Sequence, residues 1–430
     1  MWEEFVECVE TKKIVCYGAG NNAKNLLRNV SFQPFIRQIV CFVDKDKTKT
    51  GSAILIDDRP ILIKDFSYLN QINDEIVIVT ISDYSEIGEE LTQRGIHWFP
   101  WLKMNMDLTF EPIKRRYDKK IAILLNTPNY LNLGDHAITI AEIDVLRTYY
   151  SDVFELDTGM CNDIGLKQLK EYISDDDIIY IQGGGNMGAL WRTCENNIRR
   201  IIGAFPKNEI FIFPQSIFYN KTPENQQYLR ESIPIYNGHK HLKICLREKK
   251  SLEFVKNTYS CKCALVPDMV LTMNYHDTGK LRNGVGVLLR SDKERVLDEN
   301  YIECIKDTAE DLGKTVKQIS HHKDEGVVDR KVRFDRMLET YAGCEIVITD
   351  RLHGMLFSVI TNTPCIVFDN SYGKISSLYD TWLKDESGIT ITGQLNSNEL
   401  KNLILQKLNS SSYKIRSNEF KDIILTELKR

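Results

Sequence analysis

Apolar runs of strand length alternate with amphipathic stretches of helix length along nearly the whole chain. Near the amino terminus Lys13-Ile14-Val15-Cys16-Tyr17 predicts a short strand, Gly18-Ala19-Gly20 breaks it, and Asn21 to Asn29 predicts a helix. Ile39 to Val43 predicts a second strand, ending at Asp44. Ile76 to Thr80 predicts a third, followed by a Ser-Asp-Tyr-Ser turn and a helix from Glu86 to Gln93. Three strand–helix units of this kind make a small doubly wound, Rossmann-like domain over residues 1–115. The charged stretch Glu111 to Lys120 then predicts a linker.

Beyond it the alternation restarts. Strands are predicted at Ile121 to Leu125, Val153 to Leu156, Ile178 to Gln182, Glu209 to Phe213, Leu242 to Leu246 and Ala264 to Val266. Tyr275 to Asn283, with Asp277, Gly279 and Lys280, has the composition of a crossing loop. Further strands are predicted at Gly284 to Leu289, Thr315 to Ile319, Cys344 to Thr349 and Pro364 to Phe368. The expected architecture is therefore α/β: two Rossmann-like halves, 119–275 and 284–395, facing each other across a cleft, with a helical tail over 396–430.

Composition narrows the function classes without choosing among them. The 430 residues are 42% hydrophobic and 27% charged, globular values that exclude a mainly disordered or coiled-coil chain. With 56 Lys plus Arg against 60 Asp plus Glu, no overall basic field points to nucleic acid. No window approaches a membrane span and the start, Met1-Trp2-Glu3-Glu4, is acidic, so the expected location is the cytoplasm. The 11 cysteines are scattered as buried thiols would be; Cys261 and Cys263, the close pair, read as core thiols, and no metal site is expected.

Several strand ends carry residues suited to anions. Gly18-Ala19-Gly20-Asn21-Asn22-Ala23 follows a strand and opens a helix, with Asp44 at the end of the next strand, the context of a dinucleotide fingerprint. The same glycines equally suit a fold in which they only make the tight turn. Gly183-Gly184-Gly185-Asn186 ends a buried strand, where glycines suit either close approach to a ligand or a sharp turn. Asn126, Asn129, Asn132, Asp135 and His136 gather at another strand end, with Asp135 expected to cap the following helix. Ile346 to Thr349 delivers Asp350, Arg351, Leu352 and His353 to a helix mouth, where a guanidinium fork and an imidazole can hold an anion or move a proton. Arg247 and Arg290 close two further strands and are expected to converge with Arg351 on the cleft, although each alone also fits a surface ion pair.

Together these motifs resemble the polysaccharide pyruvyl transferase family. The resemblance rests on Asn126 to His136, Gly183 to Asn186, Phe213-Pro214-Gln215-Ser216, Leu246-Arg247-Glu248, Val266-Pro267-Asp268 and Arg351-Leu352-His353-Gly354, and covers residues 119–390. It implies a GT-B-like fold and transfer of a pyruvyl group from phosphoenolpyruvate to a sugar of a cell-surface polysaccharide, such as capsule or exopolysaccharide, or its precursor. Arg351, Leu352 and His353 would then bind phosphoenolpyruvate together with Arg247; for such a reaction the near-neutral pKa of an ordinary imidazole, ~6.5, makes His353 the candidate acid, with Asp135 a candidate base. Arg290, Asn132, Gly183, Gly184, Gly185 and Asn186 would complete the substrate site, with no cofactor needed for transfer. A lipid-linked acceptor would bring the protein to the inner membrane face, and a homo-oligomer is compatible with this reading. Ile217 to Asn220 depart from the glycine-proline turn of many members. Two other classes fit the architecture: a GT-B glycosyltransferase using a nucleotide sugar, and a non-catalytic module sensing a dinucleotide at Gly18, Gly20 and Asp44.

Overall fold

The structure, a computed structural model, describes residues 1–56, 59–114, 121–275, 279, 281–290, 295–322, 329–370, 373–409 and 416–429. They form two compact units, one within the first 117 residues and one carrying the body from Ile121 onward.

The amino-terminal unit is doubly wound. Its strands β1 (Ile14–Tyr17), β2 (Ile39–Asp44), β3 (Ala53–Ile56), β4 (Arg59–Asp65), β5 (Ile76–Val79) and β6 (Trp98–Pro100) lie in the order β3-β4-β2-β1-β5-β6. All neighbours are parallel except the β3–β4 hairpin. Every residue of β1 and β5 is buried, as strands covered on both faces require. The hairpin escaped the sequence pattern because its Leu55 and Leu62 are exposed, so no buried run marks it. The stretch expected to be linker is helical as far as Lys114: the helix Trp101–Lys114 includes Pro112 and continues because Phe110 and Ile113 are buried. The rest of that stretch, Arg115 to Lys120, lies outside the described residues, as do Asp277 and Lys280 of the crossing loop.

The body holds two parallel sheets. The first contains β7 (Ile121–Thr127), β8 (Asp152–Asp157), β9 (Ile179–Ile181), β10 (Gly184–Gly188), β11 (Ile210–Phe218), β12 (Leu242–Leu246) and β13 (Lys262–Leu265), in the order β13-β12-β11-β9-β7-β8 with β10 on β11. The second contains β14 (Val285–Leu288), β15 (Val316–Gln318), β16 (Ile346–Thr349), β17 (Cys365–Phe368) and β18 (Ile389–Thr392), in the order β15-β14-β16-β17-β18. These are the two Rossmann-like halves of a GT-B-like body. One core runs through both: the helices Leu133–Leu146 and Leu352–Ile360 pack on the turn Met269–Thr272, joining Leu133 and Ala137 to Met355 and Phe357 through Val270 and Leu271. Because both sheets are parallel, each gathers its carboxyl-end loops on one edge.

The tail is two helices, Ser397–Leu408 and Ser417–Leu428. The first buries Leu400 and Ile404 in the second half. The second ties the halves together, with Glu427 on Lys243 of β12 at 2.9 Å and Phe420 edge-on to Trp382. Cys261 and Cys263 are half-buried, less enclosed than core thiols.

Candidate active site

The first half builds one wall. Asn126, at a φ of 66°, makes an irregularity in β7 one residue before its end. The helix Leu133–Leu146 is capped by Asn132 and not by Asp135: the Asn132 Oδ1 accepts from the Gly134 N–H at 3.2 Å, and Asp135 already lies inside the first turn. Asp135 instead projects from that first turn into the cleft, where its Oδ2 accepts from Asn132 Nδ2 at 2.8 Å and its carboxyl is bonded to the Tyr130 hydroxyl. Burial raises its pKa from the ordinary aspartate value, against the pull of Tyr130, Lys374 and Arg247.

The glycine run is part of the sheet. Gly184–Gly188 pairs with β11, and Asn186 locks it by donating from its N–H to Gln215 Oε1 at 3.1 Å and from Nδ2 to the Gly183 carbonyl at 3.1 Å. The Gly183 N–H donates to the buried Glu142 at 2.8 Å. Gly185 faces the cleft: a Cβ there would stand 2.6 Å from Lys374 Nζ and 3.5 Å from Arg247 Nη2. The absence of a side chain here lets the Lys374 ammonium lie close against the backbone of β10.

Arg247 is completely buried at the end of β12. Its Nε donates to Ser216 Oγ at 2.8 Å and its Nη1 to Asp268 at 2.7 Å, while Nη2 has no hydrogen-bond partner among the described residues. A buried guanidinium with two nitrogens fixed and the third turned to a cavity is preorganised for an anion.

The second half supplies the opposite wall. Asp350 is buried and accepts from the Arg290 N–H at 2.8 Å, which holds the turn after β14 against the end of β16. Arg351 precedes the helix Leu352–Ile360 and its Nη1 lies 3.3 Å from His322 Nε2. Ser291 and Asp292, which follow Arg290, lie outside the described residues. His353 stands in the first turn of that helix with Nε2 buried and without a partner among the described residues. Burial and the charges of Arg247, Lys374, Arg351 and Arg290 drive its pKa well below 6.5. The role expected for it changes accordingly: in the free cleft His353 is a neutral imidazole, so the first proton step open to it is acceptance.

These residues line one cavity of about 680 Å³, with Asn132, Asp135, Gly185, Asn186, Arg247, Arg290, Arg351, Leu352 and His353 on its surface. Gly183 and Gly184 are not among the lining residues. Sequence reasoning missed Lys374, which lines the same cavity at the start of the helix Lys374–Trp382. Its signal was Gly373-Lys374 just beyond β17, with Gly373 left-handed at a φ of 74°. Tyr130, Trp191, His321 and His322 were also passed over. Among the described residues no group of His, Cys, Asp and Glu is arranged to hold a metal ion, and no helix is long and apolar enough to cross a membrane.

Gly18, Gly20 and Asp44 belong to the other unit. Gly18 needs its φ of 95°, and a Cβ there would stand 2.7 Å from Thr80 Oγ1. The Asp44 carboxylate is engaged by the turn: Oδ2 accepts from the Ala19 N–H at 2.9 Å and from Lys49 Nζ at 2.8 Å, and Oδ1 accepts from the Asp46 N–H at 2.9 Å. Three of the carboxylate's acceptor positions are thereby taken by its own unit.

Comparison with known proteins bears on the body. The family model described as polysaccharide pyruvyl transferase matches residues 132–372. General stress protein 30 of Bacillus subtilis is 35% identical over 299 residues, covering 68% of this chain and 87% of its own. Pyruvyl transferase 1 of Schizosaccharomyces pombe is 29% identical over 296 residues, covering 64% and 72%. Among solved structures, a UDP-GlcNAc 2-epimerase of Methanocaldococcus jannaschii in complex with UDP-GlcNAc and UDP aligns with a TM-score of 0.44 at 13% identity, covering 72% of this chain and 99% of that one.

Proposed function

Because the chain belongs to the polysaccharide pyruvyl transferase family and is a transferase acting on polysaccharide, we propose that its cleft binds phosphoenolpyruvate and transfers the pyruvyl group to two hydroxyls of one sugar as a ketal. The observation that carries this reading is the convergence of Arg247, Arg290, Arg351 and Lys374 around a neutral His353. Phosphoenolpyruvate brings a phosphate and a carboxylate, and separated fixed cations suit that pair of anions.

The two titratable groups divide the proton work, because their surroundings push their pKa values in opposite directions. Asp135, tending to hold its proton, donates to C3 of the enol phosphate, and positive charge develops at C2. A sugar hydroxyl adds to C2 as neutral His353 takes its proton. A second hydroxyl then displaces phosphate, losing its proton to the Asp135 carboxylate while the imidazolium returns its own to the departing phosphate. One phosphoenolpyruvate and one diol become one ketal and one phosphate, and both side chains return to their starting states. The acceptor in this reading is a sugar of a cell-surface polysaccharide or its precursor.

Isothermal titration of phosphoenolpyruvate against the wild type and Arg351→Ala, with UDP as comparison, tests the donor. Binding lost in the variant is expected. Binding of UDP but not of phosphoenolpyruvate would transfer the site to a nucleotide-sugar chemistry.

For the amino-terminal unit the proposed role is that of a scaffold, supported by the engagement of Asp44 with Ala19 and Lys49. Saturable binding of NAD that disappears in Asp44→Ala would overturn it.

A further inference from the structure

Arg247 meets two carboxylates in different ways. Asp268 takes Nη1 directly at 2.7 Å and is itself held by the Val270 N–H at 2.9 Å. Glu248 is kept back: its Oε2 lies 3.9 Å from Nε, beyond hydrogen-bond reach, although both side chains are buried. Between them stands Ser216, whose Oγ accepts from Nε at 2.8 Å and donates to Glu248 Oε2 at 2.8 Å.

The polarity of this bridge is fixed from both ends. Because Ser216 Oγ already accepts from the guanidinium, its one hydrogen is directed to Glu248. On the other side Ser251 Oγ accepts from the Ile217 N–H at 2.9 Å and donates to Glu248 Oε1. Ile217 follows Ser216 in the chain, so these bonds close into a ring between β11 and the first turn of the helix Lys249–Thr258. Glu248 accepts at both oxygens, as a carboxylate does. Burial raises its pKa, while Arg247, Ser251, Ser216 and Lys374 pull the other way.

What the ring prevents follows from the shape of a guanidinium. The Nε–H and one N–H of Nη2 point from the same edge of the plane, and a carboxylate reaching that edge takes both as a bidentate fork. The Ser216 hydroxyl, with one oxygen, takes Nε and leaves Nη2 without a hydrogen-bond partner among the described residues. That nitrogen lies 3.5 Å from where a Cβ of Gly185 would stand, and both residues line the cavity.

We propose that Ser216 is a positioning residue: its hydroxyl spaces Glu248 off the Nε–Nη2 edge of Arg247 and so reserves Nη2 for an anion of the donor. This inference rests on the phosphoenolpyruvate reading of the cleft. Without the hydroxyl, a shift of about 1 Å brings carboxylate and guanidinium into direct contact, and the free nitrogen is lost to the fork.

Titration calorimetry at about pH 8, above the ordinary carboxylate range, tests the spacer with phosphoenolpyruvate and, in parallel, inorganic phosphate. Ser216→Ala should weaken both anions about tenfold, the scale of one hydrogen bond to a charged group, and Ser216→Thr, which keeps the hydroxyl, should retain wild-type affinity. The sharper comparison is Glu248→Gln in the wild-type and Ser216→Ala backgrounds. Loss of a negative charge behind Arg247 favours an anion by a similar factor in each. Release of Nη2 adds to that only where the hydroxyl is missing, so the gain should be about tenfold larger in Ser216→Ala. Equal gains in the two backgrounds would reduce Glu248 to a distant charge and overturn the proposal. So would unchanged affinities in Ser216→Ala with a lowered melting temperature, the mark of a merely structural role. Failure of the donor reading would look different: a wild type that binds phosphate, with the same ranking of variants, but not phosphoenolpyruvate. A wild type that binds neither anion would overturn both.

Discussion

Gly134 and His353 meet without room for a methyl group: a Cβ built on Gly134 would overlap the imidazole ring. The first turn of one half's helix therefore sets the position of the other half's histidine. In Gly134→Ala the alanine favours the helix by up to ~1 kcal/mol, so the fold should survive, but the ring must move. Turnover should fall by on the order of 10², as misplacement of a reacting group commonly costs, with the melting temperature little changed. Unaltered turnover would show that the imidazole's position is not critical. His353→Ala should lose at least a similar factor.

In the proposed reading Arg247 and Arg351 both face the donor's anions, yet they should respond differently to substitution. Arg247 is buried against Asp268, so Arg247→Ala leaves a buried carboxylate unpaired and should destabilise the fold by roughly 3–5 kcal/mol. Arg351 is only half-buried, and Arg351→Lys keeps the charge while losing the planar fork. Phosphoenolpyruvate affinity should drop about tenfold in Arg351→Lys with the melting temperature unchanged. Calorimetry and thermal melts on the two variants separate the cases, and equal stability losses would contradict the assignment.

How much of this was legible in the sequence follows the physics of each signal. Buried parallel strands such as Ile76–Val79 and Ile346–Thr349 announce themselves as apolar runs, and Arg351 at the end of the latter came with it. Strand β10 did not, because three of the five residues of Gly184–Gly188 are glycines and no apolar run marks its pairing with β11. Asp135 was taken for a cap because Asp is a good one; the helix in fact begins one turn earlier, where Asn132 competes successfully. The lowered pKa of His353 was invisible, since it depends first on burial and then on cations of which Arg247, Lys374 and Arg290 come from distant parts of the chain.

Lys374 is one of those cations, and it offers a test in solution. Removing its charge in Lys374→Gln should let the His353 pKa rise toward its ordinary value. If neutral His353 is the proton acceptor, activity is lost as pH falls through that pKa. The acid limb of kcat/KM should therefore move to higher pH in the variant, alongside weaker phosphoenolpyruvate binding. A limb that stays in place would assign it to another group.

Asp350 makes a prediction about stability instead. It is buried beneath Arg290 and Arg351, its Oδ2 has no partner among the described residues, and burial pushes its pKa up to about 6. An unfolded aspartate titrates near ~3.9, so the folded chain holds this proton more tightly than the unfolded one. Stability should accordingly fall as pH rises from about 4 to about 6 and remain lower above that. Asp350→Asn removes the titration and can still accept from the Arg290 N–H. The variant should melt higher than the wild type at pH 8, by up to about 3 kcal/mol, and the gap should close below pH ~4. A variant less stable than the wild type at pH 8 would mean that attraction to the two arginines outweighs the cost of burying the charge.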